Sequence, residues 1–141
     1  MTMILFPEID KKKTKKNVSN LLNTYRSLIR IAGSEHSPKI TATYFFEMKD
    51  CLLQKVNRIE TIQNRKKLAE SELLKIIDTM NRLDANDREL LYDKFMHATE
   101  QTNIAIYMKH HMSESKFYRE LDKALIHFAE AYGDGELIIE K

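Results

Sequence analysis

Between positions 113 and 119 the chain reads Ser-Glu-Ser-Lys-Phe-Tyr-Arg. On a helix that buries Phe117, the side chains of Ser113, Ser115, Lys116, Tyr118 and Arg119 lie away from the packed side. Lys and Arg hydrogen-bond to guanine edges in the DNA major groove, while Ser and Tyr hydroxyls reach phosphates. A second cationic group, Lys11, Lys12, Lys13, Lys15 and Lys16, is the densest basic run in the chain. It reads as a solvated helix face or as an arm whose Lys12 and Lys13 contact phosphates, giving affinity that depends on salt and not on sequence. Lys109, just before the 113–119 stretch, is a further candidate for DNA contact.

Other reactive types are present without the spacing that chemistry needs. His110 and His111 are adjacent, so on a helix they diverge by roughly 100° and make a poor metal pair. Asp93 and His97 are four apart, which fits a simple surface pair. The one cysteine, Cys51, sits beside Leu52 and Leu53 and reads as a small buried hydrophobe. Glu70 with Glu72, and Glu114 with Glu120, are carboxylate pairs of the kind that charged helix faces carry routinely. No Gly-rich phosphate loop, nucleophile elbow or zinc-protease pair occurs. The expectation is a non-enzyme without cofactor or metal.

The elements that position these residues are predicted to be helices. The only Pro and Gly residues are Pro7, Pro38, Gly33, Gly133 and Gly135, so positions 39 to 132 lack both of the residues on which tight β-turns draw most. A first helix is expected from Asp10 to Ala32, with Val18, Leu21, Leu22, Tyr25, Leu28 and Ile29 at three- and four-residue steps and Gly33 as its stop. Its Lys-rich first turn opposes the helix dipole. Residues 33 to 41 read as a loop. From Phe45 to Leu83 the apolar positions again step by three or four, interrupted by the polar run Gln63 to Lys67; the pattern resembles a short coiled-coil seam and suggests a homodimer.

The last third predicts four pieces. Asp84 to Asp87 supply N-caps for a helix over Arg88 to His97 with Leu90, Leu91, Phe95 and Met96 inside. Thr99 or Thr102 caps a short helix, in which Ala105 would allow a close crossing while Ile104 and Met108 flank it on the apolar side. Lys109, His110 and His111 and the plugging residue Met112 then lead to Ser113, the cap of a helix ending near Tyr132. Its inward stripe is Phe117, Leu121, Ala124, Leu125 and Phe128. The tail from Glu136 forms a small strand or packs on the surface. This order is that of a helix-turn-helix DNA-binding unit with a leading support helix. Two regions are therefore expected, 1–83 as helical scaffold and 84–141 as the DNA-binding domain, in an all-α chain.

Composition narrows the class further. The chain has 141 residues, 43% hydrophobic and 31% charged. Its longest uninterrupted apolar run, Ile104 to Met108, is far below the roughly 20 residues of a membrane span. The apolar Met3 to Phe6 precedes the Lys cluster, the reverse of a secretory signal, so a cytoplasmic location and no membrane partner are expected. Net charge is only +2, distributed as +5 over residues 1–41, +2 over 42–83 and −5 over 84–141. A nonspecific nucleic-acid coat would be basic throughout.

The segments Leu90 to Phe95, Asn103 to Met108 and Met112 to Tyr132 resemble the autolysin-regulator (ArpU-like) family of phage and prophage transcriptional regulators. Leu5 to Asp10 and Leu22 to Arg26 are similar to that family's N-terminal segment. The resemblance implies a regulator of late phage genes whose C-terminal half is similar to region 4 of bacterial sigma factors. It places Ser113, Ser115, Lys116, Tyr118 and Arg119 on the exposed side of a recognition helix and Phe117, Ala124 and Leu125 in its core. Double-stranded DNA is then the expected partner, with RNA polymerase as a second. The rivals are a helical protein that binds RNA polymerase or a phage protein with little DNA affinity, which the −5 charge favours, and a ring-forming DNA-packaging adaptor.

Overall fold

The computed structural model describes residues 6–33, 39–40, 46–47 and 64–141. It is all-α apart from one minimal strand pair. The N-terminal helical stretch is two helices, α1 (Lys11–Leu22) and α2 (Tyr25–Ala32), instead of the single one expected. Thr24 explains the break. Its hydroxyl bonds back to the Leu21 carbonyl at 2.5 Å and its N–H donates to the same oxygen, a side-chain competitor that tightens the turn. Asp10 caps α1 through the Lys13 N–H, and Gly33 ends α2 at φ 109°, a conformation that favours glycine.

Two antiparallel two-residue strands follow, β1 (Lys39–Ile40) and β2 (Phe46–Glu47). The helical tract expected from Phe45 is thus extended at Phe46, and among the described residues it is helical only in α3 (Asn64–Arg82). The polar positions 64–67 are part of that helix. Met48, Cys51, Leu52, Val56, Ile59 and Ile62 lie outside the described residues. Ala69, Leu73, Ile76, Ile77 and Met80, the second half of the expected seam, are all buried in the chain's own core, where α3 packs on α2. Glu70 is also fully buried, unlike the surface carboxylate its neighbours suggest.

Asp84 caps α4 (Ala85–Leu91) at the Asp87 N–H, and α4 runs into a π-helical turn, Tyr92–Met96. Two further helices, α5 (Asn103–Lys109) and α6 (Glu114–Ala131), complete the set. The α6 stripe Phe117, Leu121, Ala124, Leu125 and Phe128 is buried against α1 and α4. One core holds Val18 and Leu22 of α1, Leu73 and Ile76 of α3, Leu90 of α4 and Phe128 of α6, so burial runs across the expected boundary at 83/84.

The tail secures both ends of the chain. Asp10 donates its N–H to the Ile139 carbonyl at 2.7 Å, Ile9 bridges Glu140, and Ile139 donates to the Thr14 hydroxyl. Tyr132 donates its hydroxyl to Glu72, and burial pushes that phenol above its ordinary range. Lys75 rests 4.7 Å above the Tyr132 ring and pairs with Glu136. Among the described residues no helix is long and apolar enough to cross a membrane.

Candidate nucleic-acid interface

The unit with a candidate reading head is α5, a turn and α6. Thr102 caps α5 at the Ala105 N–H and Ser113 caps α6 at the Lys116 N–H, both at 3.1 Å. Only His110, His111, Met112 and Ser113 separate the helices, a turn of the length such units use. His111 sits at φ 56°, the left-handed kink that makes the reversal this short.

The packing of α5 differs from expectation. Ile104 is 62% exposed, Met108 66% exposed and Ala105 exposed, while Ile106 is buried and Tyr107 packs on the core. A seven-residue helix offers apolar groups on two sides, and the side carrying the ring wins. Tyr107 lies 5.8 Å from Phe117 of α6, an aromatic pair that Ile104 and Met108 could not replace.

The turn is tied down from the π-helical turn after α4, which the sequence did not suggest. Asp93, 2% exposed, takes Lys109 Nζ on both oxygens at 3.1 and 3.2 Å and His110 Nε2 at 2.7 Å. Glu89 approaches the other His110 nitrogen at 3.8 Å. Asp93 therefore does not pair with His97. The π turn carries His97 onto the Tyr92 ring, with its carbonyl accepting from Arg26 Nε at 3.0 Å. Nor do Asp87 and Asp93 face solvent as free acids. Asp87 is buried and bonded at 2.6 Å to His127 of α6. Burial raises the Asp87 pKa, and the Asp87 contact raises that of His127.

The expected reading residues are on one exposed surface. Ser115, Lys116, Tyr118 and Arg119 all project from the first two turns of α6, around the buried Phe117. The Ser113 oxygen is engaged in capping. Tyr118 is held by Asn103 Nδ2 at 3.2 Å, and Asn103 in turn accepts from Lys94 at 2.6 Å, so the phenol keeps a proton to donate. Lys109 is exposed but already paired to Asp93. Lys12 and Lys13 are exposed on α1. Among the described residues no three His, Cys, Asp or Glu side chains form a metal site.

Over 140 residues the sequence is 31% identical to the autolysin regulatory protein ArpU of Streptococcus phage O1205, spanning 98% of this chain and all of that protein. It belongs to the ArpU family. The ArpU protein of Enterococcus hirae is 29% identical over 148 residues, spanning 99% of this chain and its own full length. No protein-family model and no solved structure matches the chain. The alignments cover α1 to α6 and the tail alike, so the scaffold and the α5-turn-α6 unit of this ArpU-family protein are shared as one piece.

Proposed function

We propose that this protein is a transcriptional regulator of phage genes that binds double-stranded DNA by inserting the N-terminal half of α6 into the major groove. The observation that supports this best is the arrangement of α6 itself. Phe117, Leu121 and Ala124 fix one side of the helix in the core, while Ser115, Lys116, Tyr118 and Arg119 are exposed on the other side, just after a short capped turn. Lys116 and Arg119 are one helical turn apart and read base edges; Ser115 and Tyr118 contact phosphates on either side. Membership in a family of autolysin regulatory proteins agrees with a regulatory role. The family resemblance further implies that this half is similar to region 4 of sigma factors.

A second reading has an observation of its own. Ile104 and Met108 expose an apolar pair on α5, suited to RNA polymerase or another protein docking beside the DNA.

The deciding experiment is a salt-titrated affinity for duplexes taken from upstream of phage late genes, against a scrambled duplex of equal composition. Lys116→Ala and Arg119→Ala should each weaken specific binding by about 1–3 kcal/mol where they contact bases, with helicity intact. Equal, weak binding of the native protein to every duplex would remove the DNA-reading assignment and leave the protein-docking one.

A further inference from the structure

The cationic side chains of α6 extend past its reading half. Lys116, Arg119, Lys123 and His127 follow one another at steps of three, four and four residues, so they form a stripe along one side of the helix. All four are exposed. The C-terminal part of that stripe faces α1. There Lys11 and Lys15, one turn apart and on the same side of α1 as the buried Val18, meet Arg119, Lys123 and His127 across an open groove of about 400 Å³. Asp122 and Ile126 complete the lining.

Charge makes this groove unlike the rest of the C-terminal half. Four permanent cations border it, and Asp122 is its one acid, held by Lys15 at 3.2 Å. His127 also lines the groove, its ring bonded to the buried Asp87 at 2.6 Å.

Distance says what would lie there. Lys123 is seven residues, about 10 Å, along the helix from Lys116. A major groove is roughly 12 Å wide, so a helix with Lys116 among the bases brings Lys123 to the sugar-phosphate wall.

From these positions we infer that the groove between α1 and α6 is a phosphate cradle, in which Lys11, Lys15 and Lys123 grip the DNA backbone strand that borders the bases read by Lys116 and Arg119. This rests on the DNA-binding reading and adds to it a separate set of residues. The gripping lysines of α1 are Lys11 and Lys15, which line the groove, and not Lys12 and Lys13, which do not line it. Asp122 acts as a built-in competitor. Its carboxylate occupies Lys15 in the free protein and is displaced by a phosphate on binding, so it moderates the sequence-independent part of the affinity.

The test measures duplex affinity by fluorescence anisotropy over a series of KCl concentrations, for the full-length protein and three variants. Each phosphate contact contributes about 0.9 to the slope of log affinity against log salt. The Lys11→Ala/Lys15→Ala/Lys123→Ala protein should therefore lose about two to three from that slope, with the ratio of specific to scrambled affinity unchanged. The corresponding triple Arg protein should keep the slope. Asp122→Asn should raise affinity for both duplexes several-fold, whereas Asp134→Asn, an exposed acid outside the groove, should not. An unchanged slope in the triple Ala protein overturns the cradle while leaving base reading intact. A slope that falls as expected in a protein without duplex preference upholds the cradle and overturns the base-reading assignment. Failure of the native protein to bind any duplex overturns both.

Discussion

The assignment of faces on α6 can be tested through stability alone, at Phe117. Its ring is fully buried, 5.8 Å from Tyr107 and 5.2 Å from Tyr118. Truncation to Ala removes on the order of 150 Å² of buried apolar surface, which at about 25 cal/mol per Å² is near 4 kcal/mol. The measured range for buried Phe→Ala, about 3–5 kcal/mol, brackets that figure. For a chain of this length, roughly 2–4 °C of melting temperature accompanies each kcal/mol, so a fall of about 6–20 °C is expected. Urea denaturation followed by far-UV circular dichroism gives the free energy directly, with Lys116→Ala as the neighbouring control, expected within about 0.5 kcal/mol of the native protein. Phe117→Leu should recover a large part of the loss. A cost below about 1 kcal/mol for Phe117→Ala would mean that α6 is rotated from the assigned orientation. Lys116, Tyr118 and Arg119 would then leave the exposed face, and the reading head would go with them.

Three further outcomes follow from particular contacts. Ile104→Ser and Met108→Ser should each change stability by less than about 0.5 kcal/mol, since both side chains are solvent-exposed; a loss above about 2 kcal/mol in denaturant titration would return them to the core. The Asp87 contact raises the His127 pKa in the fold, so its stabilisation is complete below the ordinary His value of about 6.5 and is lost as pH rises through the folded value. The stability difference between native protein and His127→Gln should accordingly shrink between mildly acidic and alkaline pH, and a difference that grows with pH would contradict the pairing. Asp93→Ala should cost about 3–5 kcal/mol, because it leaves His110 without its nearest acceptor in a buried site; a thermal melt equal to that of the native protein would show that Asp93 does not fix the turn.

Much of this architecture is legible from local chemistry. Ser113 announces a helix start and caps it, and of the alternatives the sequence offers for the two preceding helices, Asp84 and Thr102 are the caps, with the first helix starting at Ala85 instead of Arg88. The stripe of α6 is long enough, five apolar positions over three turns, for its period to settle which side is buried. In α5 the same reasoning fails because seven residues allow two apolar sides, and the choice depends on Tyr107 meeting a ring from another helix. The break at Thr24 fails for a different reason: apolar period continues through it, and only the hydroxyl's bond to Leu21 interrupts the helix. The ties from Asp87 and Asp93 were not readable either. Their partners lie 40 and 17 residues further along, and pairwise contacts over such distances leave no periodic mark.

The acidic balance of residues 84–141 bears on DNA binding only through where its charges lie. Asp84 is at a helix cap, Asp87 and Asp93 are buried against His127 and the Lys109–His110 pair, and Glu136 is taken up by Lys75. Glu120 lies 3.8 Å from Lys123, and Asp122 sits on Lys15. With Glu89 beside His110, seven of the twelve acids are thus committed to partners inside the fold. The field that an approaching phosphate meets is set within about 10 Å at moderate salt, so distant acids are screened while those of the groove are not. Over the first two turns of α6 and the α1 lysines beside them, cations outnumber acids. A net charge of −5 and a basic face are compatible because the fold spends its acids on holding that face in position, and it does so most tightly at the turn, where Asp93 fixes the step between α5 and α6.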